Sequence, residues 1–178
     1  ALYGKNLPMP PEGYVEELFD DYANRFESHL VEQLNYQVPI LIESVLRNRF
    51  SANQPAGMIW DLGCGTGLLG PRISDVCESL LGVDLSAQML LRAEQKKCYT
   101  NLVQSDLVSF LLHDARSFAS PDAVVIADTL VYLGDLQPFF SALQPLLNPQ
   151  STVIFTIEHM EEPNNEGYQL MPTGRYTH

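Results

Sequence analysis

Four glycines and a carboxylate crowd into one stretch, Ile59-Trp-Asp-Leu-Gly-Cys-Gly-Thr-Gly-Leu-Leu-Gly70. An apolar run that breaks into such a loop lets backbone approach a ligand closely. The loop reads in two registers. Gly65-x-Gly67-x-x-Gly70 fits the pattern that cradles a dinucleotide pyrophosphate. Asp61-x-Gly63-x-Gly65-x-Gly67 instead places an acid at the end of a strand, ahead of three alternating glycines. Three more acids, Asp84, Asp106 and Asp128, follow later apolar runs. An acid after the second strand binds ribose hydroxyls in either register. Asp84 lies 19 residues after Gly65 and 23 after Asp61, so spacing does not separate the two.

Charge does separate them. A carboxylate beside the loop repels a pyrophosphate. S-adenosylmethionine (SAM) has no phosphate; its sulfonium and α-ammonium are positive, and only its carboxylate is negative. Loop N–H groups and a helix start can hold that carboxylate. The acidic rim therefore favours the Asp61 register and a cationic nucleoside. An NAD(P)-dependent oxidoreductase is the competing reading.

The elements that must position these residues alternate between strand and helix. Val15, Leu18, Phe19, Tyr22, Phe26 and Leu30 recur at helical spacing, and Pro39 opens a second helix. Strands are expected at Met58–Asp61, Ser79–Val83, Asn101–Gln104, Ala123–Ala127 and Thr152–Ile157. Helices are expected from the glycine loop to Cys77, from Ser86 as cap to Lys97, over Leu107–Leu112 and after Asp135. Pro71 delays the first of these, because proline fits only a first turn. Glu158–His178 shows turn residues and no clear element. The alternation predicts an α/β fold, a Rossmann-like, doubly wound, mostly parallel sheet with helices on both faces. In such sheets the ligand sits outside the carboxyl ends of the strands, where all four acids fall.

Composition narrows the partners. Ten Lys+Arg against 22 Asp+Glu give a net charge of −12, which opposes generic nucleic-acid binding. Between Glu12 and Glu32 lie seven acids and one base, read as a solvated helix face. Cys64, Cys77 and Cys98 match no zinc spacing and suit reduced thiols of a cytoplasmic protein. No apolar run is long enough to span a membrane, and no metal site is expected.

"DLGCGTG" followed by "LLGVDLSAQML" resembles motifs I and II of class I SAM-dependent methyltransferases. The likeness continues through "SDL" at Ser105–Leu107 and "PDAVVIADTLVYLGDL" at Pro121–Leu136. The N-terminal stretch and the final "GRYTH" are similar to methyltransferases sometimes attached to tetratricopeptide repeats. Pro8, Pro10 and Pro11 mark residues 1–11 as an extended leader, and the resemblance, which covers roughly Tyr14 to His178, implies one methyltransferase domain over 12–178. Within it, 12–50 would form cover helices and 58–157 the cofactor-binding core. It implies SAM as cofactor, S-adenosylhomocysteine (SAH) as product, and in-line methyl transfer to a small-molecule or protein acceptor.

The same resemblance assigns roles. Asp61 would lie near the methionine end of SAM, and Gly63, Gly65 and Gly67 would form the loop. Cys64 would be a small buried residue beside the ligand. Asp84 would take both ribose hydroxyls, Leu85 and Met89 would pack on adenine, and Ser105, Asp106 and Leu107 would meet the adenine edge. Asp128 is open between a contact to cofactor or substrate and the capping of the next turn. Its A-D-T-L context lacks the pattern of enzymes that methylate amide or adenine nitrogens. Glu158, His159 and His178 are the candidates for a base, and each is also explained without chemistry. Tyr22, Phe26 and Tyr36 could form a lid, although Tyr22 and Phe26 fit a core stripe equally well. The reversed C-terminal hairpin usual in this family is expected to be missing. That would leave a sheet edge open to a second copy. A non-catalytic SAM-binding module is the third reading.

Overall fold

The computed structural model describes residues 13–22, 36–162 and 164–178. The leader over 1–11 and Phe26 lie outside the described residues. Helix α1 spans Tyr14–Tyr22 and α2 spans Val38–Arg49, with Pro39 in its first turn. Strand β1 (Ala56–Leu62) is followed by the one-turn helix α3 (Gly70–Ile73). Next come β2 (Cys77–Asp84), α4 (Ala87–Gln95) and β3 (Asn101–Gln104). Helix α5 (Leu107–Ser109) runs on as a π-turn through Asp114. Strand β4 (Ala123–Ile126), α6 (Gln137–Leu143) and β5 (Thr152–Phe155) complete the main layers.

The five strands form a parallel sheet in the order β3-β2-β1-β4-β5. The chain winds outward from β1 to β3, then crosses back to β4. The point of reversal lies between β1 and β4, where such sheets open a crevice at their carboxyl ends.

Alternate residues of each strand feed two cores, as the period of two requires. Trp60, Leu62, Leu81, Val83, Val124 and Ile126 pack with Phe110, Leu111, Phe139 and Leu143. Ile59, Leu80, Ala123 and Val125 pack with Ile42, Leu46, Leu69 and Ile73 on the other face. Burial on both faces explains why these strands read as continuous apolar runs. The expected fold class stands.

Two expectations change. Helix α3 stops after one turn rather than reaching Cys77, because β2 already begins at Cys77 and pairs there with Ala56. The C-terminal stretch also has structure: β6 (Gln169–Leu170) and β7 (Tyr176–Thr177) form a small antiparallel hairpin. Met171 C=O accepts from Gly174 N–H, with Pro172 next in the turn and Gly174 at φ 79°. That is a tight turn closed by a left-handed glycine, a recurrent hairpin solution. The hairpin does not join the main sheet. Its β7 bonds instead to the segment just past β5, with His178 N–H on Glu158 C=O at 2.8 Å.

Candidate functional site

The glycine loop leaves β1 at Leu62. Gly63, Gly65 and Gly67 all hold left-handed backbone, with φ of 78°, 54° and 77°. At Gly63 the need is also steric. A Cβ there would stand 2.1 Å from Thr129 Oγ1, on the turn after β4. The two walls of the crevice therefore touch through a glycine. Gly63 N–H and Cys64 N–H both bond to Val83 C=O, which ties the loop to β2.

The acids sit where expected, at the carboxyl edge. Asp61 is the penultimate residue of β1 and is 2% exposed. Its Oδ2 accepts from the Tyr99 hydroxyl at 2.7 Å. Burial pushes its carboxyl up to about 7; the Tyr99 bond opposes the shift and nearby Asp84 adds to it. Asp84 ends β2. Its Oδ2 accepts from Gly65 N–H at 2.8 Å and its Oδ1 from Ser86 N–H at 2.9 Å. Burial raises its carboxyl too, against these bonds. Ser86 caps α4 through Met89 N–H at 3.1 Å and donates its own hydroxyl to Asp20 of α1. The cover helix is thus tied to the same corner.

The adenine-side candidates divide. Leu85 is half-buried beside Asp84, whereas Met89 and Leu107 are 1% and 8% exposed and already packed inward. Asp106 Oδ1 caps α5 through Ser109 N–H at 2.9 Å, so one of its oxygens is committed. Ser105 N–H bonds to Asp84 C=O at 3.0 Å and its hydroxyl to Asp106 C=O. Cys64 is buried, and burial holds its thiol well above its ordinary range. A thiol so held is a packing group rather than a nucleophile.

Asp128 is one of two described non-glycine residues with positive φ, at 51°. Its Oδ1 accepts from Thr156 Oγ1 at 2.8 Å, and its N–H donates back to that oxygen at 2.7 Å. The Tyr36 hydroxyl also bonds to the Asp128 carboxylate, and the charge of Asp61 reaches it. Burial followed by these two acids holds the Tyr36 phenol protonated. Tyr36 therefore stands at the crevice. Tyr22 closes α1, and Phe19 of the same helix packs edge-on against Tyr132 at 5.1 Å.

The three candidate bases are not brought to this rim as free groups. Glu158 is paired with Arg175. His159 is exposed. His178 Nε2 donates to Leu133 C=O at 2.9 Å and Gly134 C=O at 3.1 Å, and its Nδ1 is buried without a partner. Tyr99 is the site residue that sequence reasoning missed.

Residues 60–153 match the family model described as "Methyltransferase domain". The chain belongs to the methyltransferase domain family. The Bacillus subtilis protein YqeM is 31% identical over 109 residues, covering 57% of this chain and 42% of that protein. A carboxy-S-adenosyl-L-methionine synthase from Helicobacter pylori is 32% identical over 101 residues, covering 54% of this chain and 41% of that protein. The chain thus spans about four-tenths of the length of these relatives. In fold it is similar to magnesium protoporphyrin IX methyltransferase from Synechocystis with bound SAM. The TM-score is 0.66 at 18% identity, covering 96% of this chain and 84% of that one. No described helix is long and apolar enough to cross a membrane, and no described cluster of His, Cys, Asp or Glu could hold a metal.

Proposed function

We propose that this chain binds SAM at the carboxyl edge of β1, β2 and β4 and transfers its methyl group to a small-molecule or protein acceptor. The observation that carries the reading is Asp61. It is a 2% exposed acid under a glycine loop, and its hydrogen bond to Tyr99 falls on Oδ2, which leaves Oδ1 for a ligand. A carboxylate oxygen facing a cleft is matched by an ammonium group through a charge-assisted hydrogen bond. A pyrophosphate would instead be repelled. The names of two similar proteins fit: one makes a carboxylated SAM, and the other is a methyltransferase holding SAM.

The residues present fit this cofactor. Three left-handed glycines leave backbone open to the ligand. Asp84 accepts the Gly65 and Ser86 N–H groups on different oxygens, and a carboxylate's roughly four acceptor sites leave capacity for ribose hydroxyls. Leu85 offers apolar surface beside it. When bound, SAM supplies an activated methyl carbon for in-line displacement by the acceptor atom.

The protein's part is to hold and orient. Holding the reactants roughly 3–3.5 Å apart in line supplies much of the acceleration through proximity and orientation. A base is needed only when the acceptor arrives protonated. Asp128 and Tyr36 are the polar groups placed across the crevice from Asp61, and we assign them to the acceptor or to the SAM ammonium. The charge of −12 argues against a nucleic-acid acceptor. A second reading, binding without turnover, draws on the engagement of Glu158 and His178 elsewhere.

Labelling of a cell extract with methyl-tritiated SAM, sorted by chemical class, tests the assignment. Label is expected in small molecules or protein. Label in nucleic acid overturns the acceptor class, and SAH binding with no label in any fraction favours the second reading.

A further inference from the structure

We propose that Tyr99 is a positioning residue for the cofactor site: its phenol holds Asp61 Oδ2 so that Oδ1 is left to meet the SAM ammonium. The inference rests on the SAM reading above.

Its geometry starts in the turn after α4. Lys97 adopts left-handed backbone, with φ 55°, and its N–H bonds to Glu94 C=O. The chain turns back under the sheet. Thr100 then grips Leu80 of β2 twice, with N–H on Leu80 C=O at 2.8 Å and Oγ1 accepting from Leu80 N–H at 3.2 Å. Between these anchors the Tyr99 ring enters a slot cleared by glycines. A Cβ at Gly67 would lie 2.9 Å from the ring, one at Gly70 2.7 Å and one at Gly82 2.9 Å. Contacts below 3.0 Å against a fixed ring cannot be absorbed by small shifts. Gly82 is also the residue paired with Asp61 across β1 and β2. The gap in side chains thus leads directly to the carboxylate.

This slot accounts for the second glycine register. Gly67 and Gly70 are spaced as in a dinucleotide loop, yet both clear room for a tyrosine ring. Gly70 carries no positive φ; its demand comes from Tyr99 and from Cys98 Sγ, which would lie 2.5 Å from a Cβ at this position.

The consequence is electrostatic. Among the described residues, the titratable groups facing Asp61 are Tyr99, Asp84, Cys64, Tyr36 and Cys98, and none of these is a cation. Burial and Asp84 favour protonated Asp61, and the Tyr99 bond is the side-chain contact that favours the carboxylate. An ammonium ligand needs that carboxylate.

The test is Tyr99→Phe, which keeps the ring in its slot and removes the donor. SAH affinity is measured calorimetrically from about pH 5.5 to 8.5, and the Asp61 carboxyl is titrated by carbon NMR without ligand. Wild-type affinity is expected to rise as Asp61 ionises. Y99F is expected to bind SAH roughly 10-fold more weakly at neutral pH, with the Asp61 midpoint moved up by about one unit. An unmoved Asp61 midpoint in Y99F overturns the proposal, whether or not affinity falls. Wild type that binds no SAH at any pH overturns the cofactor reading and this inference with it. Wild type that binds SAH, with Y99F binding equally well, overturns this inference alone.

Discussion

Gly63→Ala isolates the contact that joins the walls of the crevice between β1 and β4. Two costs add at this position. The first is backbone: φ is 78°, and an L-residue there loses about 1–2 kcal/mol. The second is overlap, since the new Cβ would stand 2.1, 2.5 and 2.7 Å from Thr129 Oγ1, Cγ2 and Cβ. All three atoms belong to one short side chain on a turn bonded to Gly63 C=O and Ala127 C=O. Relieving that overlap costs about 1–3 kcal/mol more. Gly167 provides the control. Its φ is also 78°, and a Cβ there meets nothing within 4 Å. Urea unfolding of both variants separates the terms. Gly167→Ala is expected to lose about 1–2 kcal/mol and Gly63→Ala about 2–5 kcal/mol. Gly63→Ala alone should also lose SAH binding. Equal losses in the two variants would refute the claim that the close approach of Thr129 to Gly63 joins the two walls of the crevice.

Other outcomes follow from the same geometry. Asp61 sits near pH 7 when folded against an ordinary value of 3.8, so the folded state binds more protons than the unfolded chain between those limits. Its contribution to stability is present below the lower limit and is lost as pH rises through about 7. Asp61→Asn should therefore stabilise the ligand-free protein at about pH 8 by roughly 1–4 kcal/mol, less at about pH 5, while abolishing SAH binding; thermal melts at both pH values check this, and a loss at the higher pH contradicts it. Asp128→Gly relieves a left-handed residue but removes the bond from Thr156. Stability should change by no more than about 1 kcal/mol while methyl transfer falls at least roughly 10-fold; unchanged turnover would reduce Asp128 to a capping role. The β5 edge has no further strand among the described residues, and Phe155 and Ile157 are each 44% exposed. Sedimentation at rising concentration should show dimerisation that Ile157→Lys weakens, and a monomer throughout would count against an edge pairing.

What was legible in the sequence was what local chemistry encodes. Apolar runs marked β1, β2 and β4, because strands buried on both faces leave no polar alternation to misread, while the partly buried edge strands β3 and β5 showed as short apolar stretches ahead of Asp106 and Glu158. Ser86 announced the start of α4, because a hydroxyl at that position satisfies a helix N–H. Asp61 and Asp84 stood out because a carboxylate at a strand end needs a partner. Tyr99 did not, since its partners lie far along the chain in β1, in the glycine loop and in β2. A tyrosine after a helix reads as ordinary core. The signal that could have found it is Gly82, a glycine inside an apolar strand with no turn to make. Strands β6 and β7 are two residues each, too short for any period. Only the Pro172-Thr173-Gly174 turn between them could have announced the hairpin. Glu158 and His178 looked available because sequence shows position along the chain and not the Arg175 or backbone carbonyls that occupy them.

The central claim is that the Asp61 register holds a cationic nucleoside and not a dinucleotide. Isothermal titration at about pH 8, where Asp61 is ionised, tests it most directly, with SAH, NAD and NADP in parallel. One SAH per chain, with no saturable heat from either dinucleotide, is the predicted result. Saturable binding of NAD or NADP without binding of SAH would contradict it.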